Sequence, residues 1–89
     1  MKITAQNYRV IGEPYHFKEE SNGLIIHKET ENVLKVISSH SIYIHLDEIL
    51  VYDKEKAIEC VIDGKTYIAI KPDDIIARID LEEGENNNG

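Results

Sequence analysis

Tryptophan is missing from this 89-residue chain; cysteine and phenylalanine occur once each, proline twice, and arginine only at Arg9 and Arg78. Each shortage removes a class of protein. A single cysteine, Cys60, leaves no internal disulfide framework and fits a reducing compartment. No apolar run exceeds a few residues, against the roughly 20 that a membrane-spanning helix needs. Met1 is followed by Lys2-Ile3-Thr4, without the apolar centre of a secretory signal, so export is not expected and a cytoplasmic location is. Positive charge is also scarce: 17 acidic against 10 basic residues give a formal net charge of −7. The lysines are scattered, whereas nucleic-acid binding needs clustered Lys and Arg to displace phosphate counterions. Neither a nucleic acid nor a membrane is an expected partner.

What is there reads as one small all-β domain. At 89 residues and 42 % hydrophobic content the chain supports a single core of marginal size, for which self-association is a natural helper. Short runs of β-branched and aromatic residues alternate with turn residues. Lys2-Ile3-Thr4-Ala5 and Tyr8-Arg9-Val10-Ile11 come first, ahead of a break at Gly12-Glu13-Pro14. Val33 to Ile37 follows a polar loop. In "SIYIHL" a period of two places Ile42, Ile44 and Leu46 on one face and Tyr43 and His45 on the other. After Asp47-Glu48 the pattern resumes at Ile49-Leu50-Val51-Tyr52. Ala57 to Ile62 and Lys65 to Ile70 flank Asp63-Gly64, the signature of a type I′ hairpin. Pro72-Asp73-Asp74 then Ile75 to Ile79 satisfy a short helical turn followed by a strand. From Glu82 the tail is acidic and Asn-rich without apolar residues, and disorder is expected over residues 82–89.

No catalytic, cofactor or metal site emerges. His16, His27, His40 and His45 show no paired ligand spacing, and His40 and His45 are five apart, on opposite faces of a strand. Cys60 alternates with Ile58 and Ile62, which predicts an inward-facing, inert thiol. Asp47-Glu48 and Asp73-Asp74 are sequence neighbours and fit turns or caps better than acid–base couples. With no nucleophile elbow and no phosphate loop, an enzyme is not expected.

One stretch does not fit so plainly. In "EESNGLIIHKET" the aliphatic triplet Leu24-Ile25-Ile26, entered through Gly23, is embedded in polar sequence on both sides. It is either a core strand of a small β-barrel interaction or structural module, or a patch kept for a partner to cover.

Four segments in order bear on that choice. "MKITAQNYRVIG", "SNGLII", "LDEILVYD" and "IDGKTYIAIKPDDIIARI", the last with Asp74-Ile75-Ile76-Ala77, together resemble the GroES-type co-chaperonin family over roughly residues 1 to 80. The match has departures. Ala5 stands where a proline is usual, Asn32 near a usual glycine, Ile37-Ser38-Ser39 in place of a Val-Gly-x-Gly turn, and Asp47 in place of a glycine. The stretch between Val36 and Leu46 is too short for the family's roof hairpin. The pattern is that of a divergent, shortened member and leaves open a viral (phage) origin, with the host cytoplasm as its location.

The resemblance implies a small GroES-like β-barrel over residues 1–81, with a mobile loop at about 15–32 and a reduced or absent roof hairpin. It implies a non-enzymatic, cofactor-free subunit of a heptameric ring that caps a GroEL-type chaperonin and assists protein folding. Gly23, Leu24, Ile25 and Ile26 would dock on the chaperonin. Lys2, Ile3, Thr4 and Ala5 of one subunit would pair with Ile75, Ile76, Ala77, Arg78 and Ile79 of its neighbour.

Overall fold

The computed structural model describes residues 1–16, 18–21, 24–27 and 32–80, the two short middle segments by their backbone alone. Among these residues eight strands follow one another: β1 Val10–Pro14, β2 Lys18–Ser21, β3 Leu24–His27, β4 Val33–Ser39, β5 Ile49–Tyr52, β6 Ile58–Ile62, β7 Lys65–Ile70 and β8 Ile75–Ile79. Six of them form one antiparallel sheet in the order β6-β7-β1-β4-β5-β8, while β2 and β3 form a separate two-stranded sheet. The fold is all-β and barrel-like.

Alternation along the strands builds the interior. Val10 of β1, Leu34 and Val36 of β4, Leu50 and Tyr52 of β5, and Ile68 and Ile70 of β7 are all buried and share one cluster with Ile44. Ala57 and Ile75 pack against its margin. Burial raises the pKa of the Tyr52 hydroxyl above its ordinary value, the Glu59 carboxylate adds in the same direction, and Lys54 opposes both.

Gly12 sits inside β1, where the sequence suggests a break. A Cβ there would lie 2.6 Å from Leu34 Cδ1 and 2.7 Å from the Lys35 carbonyl oxygen, so β1 and β4 meet too closely for any side chain. The β1–β4 register also shifts between Ile11 and Gly12. Upstream, the expected strand from Tyr8 starts only at Val10, because Asn7 (φ 54°) and Tyr8 (φ 60°) form a left-handed turn.

Other segments depart from the alternating pattern for physical reasons. Residues 2–5 join no ladder, since β1 is already flanked by β7 and β4 and offers no edge nearby. The "SIYIHL" segment turns instead of extending. Ser39 Oγ accepts from the Ser41 N–H at 3.1 Å and Ser41 Oγ from the Tyr43 N–H at 3.2 Å, local bonds that compete with a strand. Ile44 alone of its apolar residues reaches the core, whereas Ile42 is 81 % and Leu46 61 % exposed. No roof hairpin stands between β4 and β5; Val36 and Glu48, and Val36 and Asp47, close the turn by backbone bonds of 2.9 Å. Cys60 is exposed. It pairs with Tyr67, while its neighbour Glu59 pairs with the core-facing Ile68, so Ile58, Cys60 and Ile62 lie on the sheet face away from the main cluster.

Two expectations hold in detail. Asp63 (φ 51°) and Gly64 (φ 79°) make the type I′ turn joining β6 to β7. Pro72–Asp74 forms a single 3-10 turn that leads directly into β8.

Candidate functional site

The aliphatic triplet lies on β3, whose backbone pairs antiparallel with β2: Glu19 opposite Ile26, Glu20 opposite Ile25 and Ser21 opposite Leu24. The segment, for which the residues left a strand open and the resemblance implied a mobile loop, is strand on both sides of Asn22 and Gly23. Gly23 itself lies outside the described residues, as do the side chains of Leu24, Ile25 and Ile26 and the tail with Glu82, Glu83 and Glu85. Among the described residues, the ribbon has a backbone ladder separate from that of the six-stranded sheet. It leaves the sheet after β1 and returns to it at β4. There the Tyr15 N–H donates to the Val33 carbonyl at 3.0 Å and closes its base.

A two-stranded ribbon in water is marginally stable by itself, because it has one ladder of hydrogen bonds and no second layer to bury its side chains. Among the described residues, the six-stranded sheet gathers a buried cluster from β1, β4, β5 and β7 together with Ile44.

The second set of expected site residues sits where the sheet ends. β8 pairs on one side only, with β5, through Ile49 opposite Ile79, Leu50 opposite Arg78, Val51 opposite Ala77 and Tyr52 opposite Ile75. No described strand pairs with its other side. Ile76 is 65 % exposed there, and Ala77 and Arg78 are exposed as well. The Arg78 guanidinium lies 3.2 Å from Asp80 and 3.5 Å from Glu48, solvent-exposed pairs that orient the side chain and contribute little stability.

Residues 2–5 lie away from β8, along the far end of β4. Ala5 is buried, and its N–H donates to Ser38 Oγ at 2.8 Å. Beside them runs an open groove of about 680 Å³, lined among others by Met1, Ile3, Ile37, Ile42, Leu46 and Tyr67. The route of this segment is set by a contact that the sequence did not announce. The Tyr8 N–H donates to His40 Nδ1 at 2.8 Å, the His40 N–H donates to the Arg9 carbonyl at 2.9 Å, and the two rings stand 5.3 Å apart. These bonds hold the left-handed turn at Asn7-Tyr8. Its only trace in the sequence is an asparagine, a residue tolerant of positive φ.

The side chain of His27 lies outside the described residues, and His40 and His45 have separate local partners. His40 serves the turn at Asn7-Tyr8, and His45 Nδ1 lies 3.6 Å from Glu48. Among the described residues no group of three or more His, Cys, Asp or Glu is placed to hold a metal ion. The acidic pairs act locally: Asp47 occupies a turn at φ 69°, and Asp73 and Asp74 form the 3-10 turn before β8. Compared with the known protein-family models the chain matches none, and no curated protein matches it in sequence.

Proposed function

We propose that this protein is a non-enzymatic co-chaperonin, a homo-oligomeric lid that docks on a GroEL-type chaperonin through Leu24-Ile25-Ile26 and assists protein folding. The observation that carries this reading is the backbone placement of the triplet on β3, in a two-stranded ribbon that the strand order keeps apart from the six-stranded sheet. Three further features support it. Asp47, which replaces a glycine of the family pattern, has the left-handed φ of 69° that favours glycine. The link between β4 and β5 is a short turn without a roof. Of the two segments that the resemblance pairs between subunits, β8 is laddered to a described strand on one side only, and residues 2–5 join no strand ladder among the described residues.

The energetics suit a reversible lid. Burying two aliphatic side chains contributes about 3–6 kcal/mol. Ordering a free loop costs about 1–2 kcal/mol per residue. A triplet already held in a β ladder loses less on docking than an unstructured one. One hairpin still binds weakly, and several on one ring act together through effective concentration, raising avidity by orders of magnitude while allowing release. Ring closure between β8 and residues 2–5 of a neighbour would cover edges that otherwise invite aggregation.

Sedimentation of the purified protein tests the assembly, and co-sedimentation with a GroEL-type chaperonin tests the docking. The expected result is a particle of seven 10.2 kDa subunits, or a simple multiple, that binds the chaperonin. A monomer that ignores the chaperonin would contradict it.

A further inference from the structure

The outer edge of β6 carries a second interface, independent of the lid reading. We propose that β6 pairs antiparallel with β6 of a second copy of this chain, in a two-fold register centred on Cys60.

The type I′ turn fixes which backbone groups are free. Ile62 and Lys65 flank Asp63-Gly64 and form the closing hydrogen-bonded pair of the hairpin. Hydrogen-bonded and non-hydrogen-bonded pairs alternate from there. Ile62, Cys60 and Ile58 therefore spend their N–H and C=O groups on β7, and Glu59 and Val61 aim theirs outward, where the sheet order places no strand. Apolar side chains are exposed along that edge, Ile58 at 55 % and Val61 at 71 %, with Glu59 and Cys60 exposed between them. Edge strands are normally blunted by a proline, a bulge or lysines. Residues 58–62 contain no proline or lysine and the β6–β7 register has no shift; Glu59 is the one charge on the strand, and it bears on the register.

The sequence then selects the occupant and the register. A second copy offers the same outward groups, so Glu59 and Val61 must bond to Glu59 or Val61 of the other strand. Setting Glu59 opposite Glu59, or Val61 opposite Val61 with Glu59 opposite Asp63, places acid against acid. With Cys60 at the centre, Glu59 meets Val61, Ile58 meets Ile62 and no acid faces an acid. This is also the register in which all of Ile58–Ile62 overlaps itself. The Cys60 pair falls at a non-hydrogen-bonded position, where Cα atoms approach to about 4.5 Å, within reach of a disulfide.

Two experiments on the full-length chain read this out. Val61→Pro removes an outward N–H and leaves the β7 ladder intact, so it should halve the particle mass in sedimentation with little change in melting. Diamide, whose N=N bond takes up two protons and two electrons from a thiol pair, should convert the wild type to a Cys60–Cys60 disulfide dimer. With Cys60→Ser as background, Ile62→Cys alone should not cross-link, because it faces Ile58, and adding Ile58→Cys should restore the product. An unchanged mass in Val61→Pro, or cross-linking of Ile62→Cys as fast as Cys60, would overturn the proposal. A ring with normal chaperonin binding and no β6 pairing would reject this interface alone.

Discussion

The six-stranded sheet and the β2–β3 ribbon are made of similar residues put to different use. Both carry adjacent large aliphatics: Ile49-Leu50-Val51 on β5 and Leu24-Ile25-Ile26 on β3. β5 lies between β4 and β8, and Leu50 and Tyr52 enter a core shared with three other strands. β3 has one neighbour, β2, whose Lys18-Glu19-Glu20-Ser21 is wholly polar. An aliphatic run is thus not evidence of burial in itself; what the neighbouring strands can place against it decides. Under the proposed function, the sheet holds the fold and the ribbon is reserved for a partner.

Substitutions sharpen that contrast, beginning with the sheet. Val36 is fully buried, so Val36→Asp puts a carboxylate into an interior with no cation to meet it. The cost, more than about 4 kcal/mol, is enough to abolish cooperative melting in a domain this small. Gly12→Ala drives a methyl group into Leu34 and the Lys35 carbonyl. A loss of about 1–3 kcal/mol is expected, seen as a melting point lower by roughly 5–20 °C. Asp47→Gly works the other way. It relieves left-handed strain at φ 69° and gives up only an exposed contact to Lys35 at 3.9 Å, so stability should rise by up to about 1 kcal/mol in thermal melting.

The parts of the fold legible in the sequence were those governed by local rules. Asp63-Gly64 announced its hairpin, and Pro72 followed by two aspartates announced a turn before β8, because positive φ and proline geometry are properties of a few adjacent residues. The errors came from non-local effects. Gly12 read as a break because glycine weakens a strand in isolation, yet close approach to β4 requires it. Cys60 read as buried because alternation gives two faces without saying which is inside; the pairing of Glu59 with Ile68 settles that. The strand expected over residues 42–46 fell to serine hydroxyls that bond their own backbone. Of the candidate site, the position of the triplet between polar margins was visible and the resemblance pointed to Ile75–Ile79 as an edge, whereas the edge at β6 was not legible, since strand order is not a local property.

The ribbon supplies the smallest effect on stability and the largest on binding. Ile25→Asp, compared with the wild type for thermal melting, oligomer mass and co-sedimentation with a GroEL-type chaperonin, separates the two roles in one variant. Unchanged melting and mass with chaperonin binding lost, by roughly 100-fold or more once the several hairpins of a ring are multiplied, is the predicted result. A melting point that falls as it does for a core substitution, or chaperonin binding that survives, would contradict the assignment of the triplet to docking.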